Sequence, residues 1–517
     1  MDKSLLQLKK VFGTLKQYFV LIIEYVQQNM KYLLFLIILT NLCYGSKLVF
    51  GSNQFDTIQM YANYERTIDW WLALGRFSLV FMKRIFENGI LSVYFSNFLT
   101  MLFFVIAALS WSFLFSTFTP LSFKRGNWVL GGLFISTPIM AEQISFSLQN
   151  WEVMTGFAVV PIAIYLFFAG DEERNFYSMF LSAFLLAWTI GLYQNFLSIY
   201  VLGFLSVLLF KIDEIISYKQ IIILCLKFVI TFLIGIGLYF CISITVQKIY
   251  DIEPVGYLFD NVMWTKRSII DSVYQIMKYT KGLIFSSQNY YSSILYGIVW
   301  ILFLMESFFV KSVHRIWNFG IRILILISPF YFSILFGDGL LLRVQTVLPL
   351  TFSIVGWYLY CSVSDMKRIK TLCAGILAII ILRHSQILVH AFYSDYCAYN
   401  QDVILSQQIR ANINTDFPEN TSDKIIFINK KSKTTFIPNN IFYENIGTSI
   451  YSIEWLSDYD RNTRLADFYN YLGYPTSYVS PDEFGRYISM DYSNMLSKRY
   501  QEYIIYSLEG VSIVQFY

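Results

Sequence analysis

Long apolar runs separated by short polar breaks recur along most of the chain. The first occupies residues 31–50. Others follow at 96–116, 128–146, 152–169, 176–193, 195–210, 221–246, 291–310, 319–336, 344–363 and 371–392. Each approaches the length of about twenty residues that an α-helix needs to cross a bilayer. Runs this long favour helices over a barrel, whose strands alternate in short segments. The pattern predicts an α-helical polytopic membrane protein with about eleven transmembrane helices.

Three stretches depart from the pattern. Residues 51–84 are too polar to span a bilayer and too apolar to form a loose loop. They carry Asp56, Glu65 and Asp69, then Gly75-Arg76 and Lys83-Arg84, interleaved with Trp70, Trp71, Phe77 and Phe81. This mixture predicts helices lying at the membrane surface, aromatic faces in the headgroups and acids toward water. Residues 247–290 read as a longer polar loop. After residue 393 the chain changes character. It carries a β-like run at Lys424-Ile425-Ile426-Phe427-Ile428 and polar turns around Pro438, Asn439 and Asn440. Gly473-Tyr474-Pro475 and Ser480-Pro481 punctuate later pieces, and Val511-Ser512-Ile513-Val514 closes the chain in alternation. Residues 394–517 are long enough for a small α/β domain, entered through an amphipathic helix at 395–413. At the other end, residues 1–30 form an amphipathic segment with Lys3, Lys9, Lys10 and Lys16. No short apolar core with a small-residue cleavage site follows, so the run 31–50 reads as a signal anchor and the membrane body as 31–393.

Composition strengthens the membrane assignment. The 517 residues are 56% hydrophobic, 19% aromatic and 14% charged, with a mean hydropathy of +0.51. Soluble domains carry roughly 25% charged residues, so too little charge is present to cover a water-facing surface. The net charge of +4 and the lack of a basic stripe argue against nucleic acid as a partner. Charge position orients the chain. With the N-terminus in the cytoplasm, the inner loops hold Lys124-Arg125, Arg174, Lys211, Lys219, Lys311, Arg315 and Lys367-Arg368-Lys370. Asp171, Glu172 and Glu173 beside Arg174 count little, so the positive-inside rule predicts an inner N-terminus and an outer tail. Residues 51–84, 247–290 and 337–343 then face outward with the tail.

Cys43, Cys225, Cys241, Cys361 and Cys373 lie in or beside apolar runs and only Cys397 in a polar one, which is no disulfide framework. His314, His384 and His390 are scattered. HExxH, paired CxxC and Walker patterns are all missing, so zinc hydrolysis and ATP-driven transport lack their supports.

The candidate chemistry lies on the outer side. Asp56 sits just beyond the first span, where a carboxylate can face both water and a headgroup and serve as a general base. Glu142 is an acid near the outer end of the third span, and Glu65 and Asp69 follow Asp56 as candidates to bind an acceptor or hold the loop. The outward cations are Arg76, Lys83, Arg84, Lys266, Arg267 and Arg343. Arginine suits bidentate phosphate binding, although Arg343 at a span end is also placed for interfacial snorkelling. Lys248, Lys278 and Lys281 read as solvated edges. Tyr193-Gln194-Asn195 and Arg383-His384 put polar groups inside apolar runs, where they line a cavity or bond neighbouring helices; for Arg383-His384 depth favours the second role.

These pieces together resemble the type II Gtr family of bacterial serotype-conversion glucosyltransferases, which look like GT-C enzymes, polytopic transferases that use polyprenyl-phosphate sugars. The matching stretches are FDTIQMY with Asp56, ALGRF with Gly75-Arg76, AEQISFSLQNW with Glu142 and GLYQNFLSIYV with Tyr193-Gln194. YSDYCAYNQDVILSQQI from Tyr393, IGTSIYSIEW from Ile446 and FYNYLGY from Phe468 match in the tail. They follow in order over most of the chain, each short and moderately specific. The loop 247–290 has no counterpart, so Lys266 and Arg267 enter by charge alone.

The resemblance implies an enzyme of the bacterial plasma membrane that takes a sugar, glucose in this family, from undecaprenyl phosphate to a cell-surface or cell-wall glycan. Asp56 would accept the acceptor's proton. Arg76 and Arg343, with Lys266 and Arg267, would bind the donor phosphate, and Glu65, Asp69, Glu142, Tyr193 and Gln194 would bind substrate. No cofactor is required. Some GT-C enzymes use a divalent metal, which the spacing of Asp56, Glu65 and Asp69 does not establish. A transporter or flippase of lipid-linked sugars is the alternative, although no repeated halves are visible. A third reading is an envelope scaffold with the tail as its binding module.

Overall fold

The computed structural model describes residues 2–517 except 51, 53–54, 88, 120–122, 124–125, 173–174, 216, 257–259, 286–292, 311, 364–365, 421–422, 433–445 and 454–455. Lys124, Arg125, Glu173, Arg174, Lys311, Pro438, Asn439 and Asn440 therefore lie outside the described residues.

Helices dominate, with a small sheet confined to the tail. Among the described residues, five helices are long and apolar enough to cross a membrane: Val93–Phe118, Asn150–Glu172, Tyr218–Ile249, Arg315–Phe336 and Lys367–Asp416. Gly13–Gln28 and Met30–Tyr44, bent by 84° at their junction, make a sixth if they count as one span. Shorter apolar helices stand at Asn127–Ser136, Phe176–Leu192, Phe196–Lys211, Ile294–Glu306 and Val347–Ser362, where the sequence predicts further spans. Length alone thus supports fewer crossings than the about eleven apolar runs suggest. One cause is visible in the run 128–146. It divides into Asn127–Ser136 and Met140–Ile144 around Pro138, which lacks the N–H a continuing helix needs.

The helices pack around one core containing Trp111, Trp151 and Trp357, all nearly inaccessible. The N-terminal segment joins it: Tyr18 is buried and its ring meets Phe113 edge-on at 5.2 Å. Residues 247–290 are not all loop. Ile269–Phe285 is helical, its apolar face carrying Ile269, Ile270, Val273 and Met277 exposed between Asp271 and Lys278. The charges in this segment disguise an amphipathic helix as a polar connector.

Residues 55–86 form three short helices, Phe55–Ala62, Tyr64–Ala73 and Phe77–Phe86. Asn63 caps the second, its side chain accepting from Arg66 N–H at 3.2 Å. Gly75 turns the chain into the third at φ 78°. A Cβ there would lie 2.4 Å from the Tyr239 hydroxyl, so the turn needs glycine for both backbone and space.

The helix Lys367–Asp416 runs unbroken from the last apolar run into the tail, carrying Leu405, Ile409 and Ile413 one turn apart into the tail's core. The tail sheet has the order β1-β4-β3-β2 for Ile425–Ile428, Leu496–Arg499, Tyr503–Leu508 and Val511–Phe516 taken as β1 to β4. β1 pairs parallel with β4, and the other pairs are antiparallel. β1 is apolar at every position because both its faces are covered: Ile425 and Phe427 join the core shared with helix Asp458–Tyr471, and Ile426 and Ile428 pack with Phe484. The β3–β4 hairpin turns at Glu509 and Gly510, φ 51° and 79°, the two positive values a tight primed turn requires. Ile58, from helix Phe55–Ala62, belongs to the tail's core, so that helix packs against the tail.

Asp402, beyond the apolar run on the continuous helix, fastens the tail. Its carboxylate accepts from Ser449 Oγ at 2.5 Å and from Ile450 N–H at 2.7 Å. Burial pushes the Asp402 carboxyl up to about 7, against the lowering effect of those bonds and of Lys431, with Asp395 raising it further. The folded tail holds this proton more tightly than the unfolded chain does. Stability is therefore greatest below the ordinary aspartate value and falls as pH rises toward 7, with a slope approaching about 1.4 kcal/mol per pH unit. Thermal unfolding of the tail in the full chain should occur at a higher temperature at pH 5 than at pH 8. Asp402→Asn should flatten that difference. An equal pH dependence in both proteins would show that another group governs it.

Candidate functional site

A cavity of about 630 Å³ opens between the short helices of residues 55–86, the ends of the apolar helices and the tail. Four arginines line it, Arg66, Arg76, Arg343 and Arg464, against two carboxylates, Asp56 and Asp69. Trp70, Trp71, Phe146 and Tyr193 supply apolar wall and Gln59 and Gln149 supply amides. A cationic pocket with aromatic walls suits an anion attached to an organic group.

Local structure explains how each side chain arrives. Asp56 stands in the first turn of helix Phe55–Ala62. Arg343 Nη1 lies 3.6 Å from Asp56 Oδ2, and Arg464 Nη2, from tail helix Asp458–Tyr471, lies 3.2 Å from Oδ1. Arg464 also donates to Gln59 Oε1. The Asp56 side chain remains 23% exposed, open to the cavity. Arg343 lies in the 3₁₀ turn Leu342–Val344 with its guanidinium 4.7 Å from the Phe146 ring centre. The Asn195 amide braces this turn by donating to Thr346 Oγ1 at 2.9 Å. Arg76 follows the Gly75 turn, donates to Gln149 Oε1 at 2.9 Å and lies 5.0 Å from the Tyr193 ring centre. Gln194 donates to Leu74 O at 2.8 Å and Gln247 to Leu72 O at 2.9 Å. The Gln194 amide satisfies a carbonyl that the end of helix Tyr64–Ala73 leaves open, and Gln247 adds a second bond to Leu72 O, which also accepts from Gly75 N–H at 2.9 Å.

The fold therefore gathers five sequence-selected residues around one cavity: Asp56, Asp69, Arg76, Tyr193 and Arg343. The other selected residues lie elsewhere. Glu65 is exposed and forked by Arg84, Nη2 to Oε2 at 2.5 Å and Nη1 to Oε1 at 2.9 Å, which holds its carboxyl below the usual range. Glu142 is fully buried in helix Met140–Ile144, outside the cavity lining. Gln194 supports the Gly75 turn from behind. Lys266 donates to the Asp260 carbonyl and Arg267 pairs with Asp338, both away from this cavity. Arg383 is exposed and donates to Gln386 at 2.6 Å, and His384 is buried among apolar groups.

Lys83 departs from the sequence expectation of an outward cation. It is fully buried, 2.6 Å from Glu87 Oε1 and 2.8 Å from Glu152 Oε1, and Trp151 Nε1 donates to Glu87 Oε1 at 3.3 Å. Arg66, Arg464, Gln59 and Gln149 were not selected from the sequence. Arg464 had no local signal, since it lies 408 positions from Asp56 in a polar helix resembling any solvated one. Among the described residues no three His, Cys, Asp or Glu side chains group as a metal site.

A family model described as glucosyl transferase GtrII matches residues 45–363, a segment that holds Asp56, Asp69, Arg76, Tyr193 and Arg343 and ends before the tail. No curated protein and no solved structure matches the chain.

Proposed function

From the premise that the chain belongs to the glucosyl transferase GtrII family, and so is a glycosyltransferase, we propose that it is of the GT-C type and moves glucose from undecaprenyl phosphate to a glycan at the outer face of the bacterial plasma membrane. One observation carries this reading: Asp56 stands between Arg343 and Arg464 at the wall of a cavity with surplus positive charge. The donor phosphate enters among the arginines and competes with Asp56 for them. Arg343 and Arg76 turn to the phosphate, and the Asp56 carboxylate is freed toward the acceptor. Asp56 accepts the acceptor hydroxyl's proton as that oxygen bonds to the anomeric carbon. The bond from that carbon to the phosphate oxygen breaks, and its electron pair leaves with undecaprenyl phosphate. The arginines offset the charge that develops there, where partial exclusion of water makes such help worth most. Tyr193 and Trp70 border the sugar.

The test is release of undecaprenyl phosphate from its glucose conjugate by the purified protein in the presence of glycan. Release from no lipid-linked sugar in a panel of such donors would sink the reading. Arg76→Ala and Arg343→Ala should each reduce donor turnover about ten- to hundredfold, since each removes a charge-assisted bond to the phosphate. Lys266→Ala, outside the cavity, should leave it near the parent value. Small equal losses in all three would put the phosphate elsewhere.

A further inference from the structure

A second cavity, of about 300 Å³, adjoins the first and shares Gln59 and Arg66 with it. Its other lining residues are Asn63 from the surface helices and Tyr459, Thr463, Asp467 and Tyr478 from the tail. Tyr459, Thr463 and Asp467 are four apart on helix Asp458–Tyr471 and so present one face to the cleft. Asp467 is 4% exposed, and its Oδ1 accepts from the Tyr478 hydroxyl at 2.5 Å. Tyr478 itself is 53% exposed, leaving its ring as an open wall.

The two cavities differ in chemistry. The inner one holds four arginines against two carboxylates. The outer one holds one arginine and one carboxylate, with amides and hydroxyls making up most of its remaining polar groups. Paired amide, carboxylate and hydroxyl groups match neighbouring sugar hydroxyls, and a tyrosine face covers the C–H face of a ring. The volume is at the lower end of small-molecule sites and suits a short piece of glycan.

Resting on the transferase reading above, we propose that this cleft is the acceptor subsite, in which the tail and the surface helices together hold an uncharged oligosaccharide with its reacting hydroxyl directed toward Asp56. The tail then sets acceptor choice, whereas the donor site belongs to the membrane body. This division follows the physical layout: among the described residues, only Arg464 from the tail lines the inner cavity, but four tail residues line the outer one.

The test uses the full-length protein with Thr463→Trp, which fills the cleft, and Tyr478→Ala, which removes its exposed wall. With undecaprenyl-phosphate glucose as donor and bacterial surface oligosaccharides as acceptors, each variant should raise the acceptor KM about tenfold or more. The donor KM and the slow release of undecaprenyl phosphate to water alone should stay at the parent value. An unchanged acceptor KM in both variants, or an equal rise in donor KM, would overturn the assignment. Should Thr463→Trp fail to accumulate, Tyr478→Ala on its exposed segment carries the same comparison. A second readout needs no turnover: binding of the parent protein to an array of bacterial surface oligosaccharides. Binding lost in the variants supports the cleft, and binding that persists in them, or is missing in the parent, overturns it. A parent protein that binds the array but releases no lipid phosphate from any donor would instead refute the transferase reading alone.

Discussion

Replacement of Asp56 by asparagine is expected to reduce turnover about a hundredfold to ten-thousandfold, the range a general base contributes. The substitution keeps the size of the side chain and removes the charge that accepts the proton. The fold should survive it, because the side chain is partly exposed and its partners Arg343 and Arg464 have other contacts in Phe146 and Gln59. Expression and donor binding should therefore be retained, and donor binding should tighten if phosphate and Asp56 compete for Arg343. Asp69→Asn is the informative companion, since Asp69 is the other carboxylate of the cavity. Near-parent activity in Asp56→Asn with an inactive Asp69→Asn would transfer the role to Asp69. Loss in Glu65→Gln would be harder to reconcile, because Glu65 is held outside by Arg84.

The second large effect is expected at Lys83, and it concerns stability. Lys83→Ala removes the cation from between Glu87 and Glu152 and leaves two carboxylates in a dry core beside Trp151. Breaking a buried ion pair by removing one partner costs about 3–5 kcal/mol. The variant should accumulate poorly or unfold at a markedly lower temperature in detergent. Replacing all three charges with apolar groups of similar size, Lys83→Met with Glu87→Leu and Glu152→Leu, should recover much of the loss, because such clusters contribute little over good packing. A stable, active Lys83→Ala protein would show that water reaches the cluster. This residue also makes a poor control for phosphate binding, a role better served by Lys266.

The cavity arginines and the Lys83 cluster illustrate different limits of reading charge from sequence. Arg76 and Lys83 lie seven positions apart in the same polar-aromatic stretch and look alike as outward cations. The Gly75 turn directs Arg76 into the cavity, and the next helix carries Lys83 under Trp151. Arg322 gave no functional signal within its apolar run, yet it is fully buried and paired with Glu306 at 2.6 Å, with Tyr358 OH 2.7 Å away. Such buried ion pairs join neighbouring helices, and only the positions of partners separate them from a binding site.

The sequence by itself determined the classes of structure. Apolar runs marked the helical body, the mixed stretch 51–84 marked a set of short helices, and the change after residue 393 marked a tail with strands at 425–428 and 511–516. It also selected Asp56, Asp69, Arg76, Tyr193 and Arg343, because carboxylates, arginines and aromatic residues stand out near the ends of apolar runs. Hydrophobic periodicity is a local property, and these features are local. Tertiary structure alone decided which charges meet. It brought Arg464 to Asp56 from the far end of the chain, turned Gln194 and Asn195 into braces for backbone turns, and sent Glu65, Lys266 and Arg267 to other partners. The physical reason is that electrostatic and hydrogen-bond partners act over a few ångströms in space, a distance unrelated to separation along the chain.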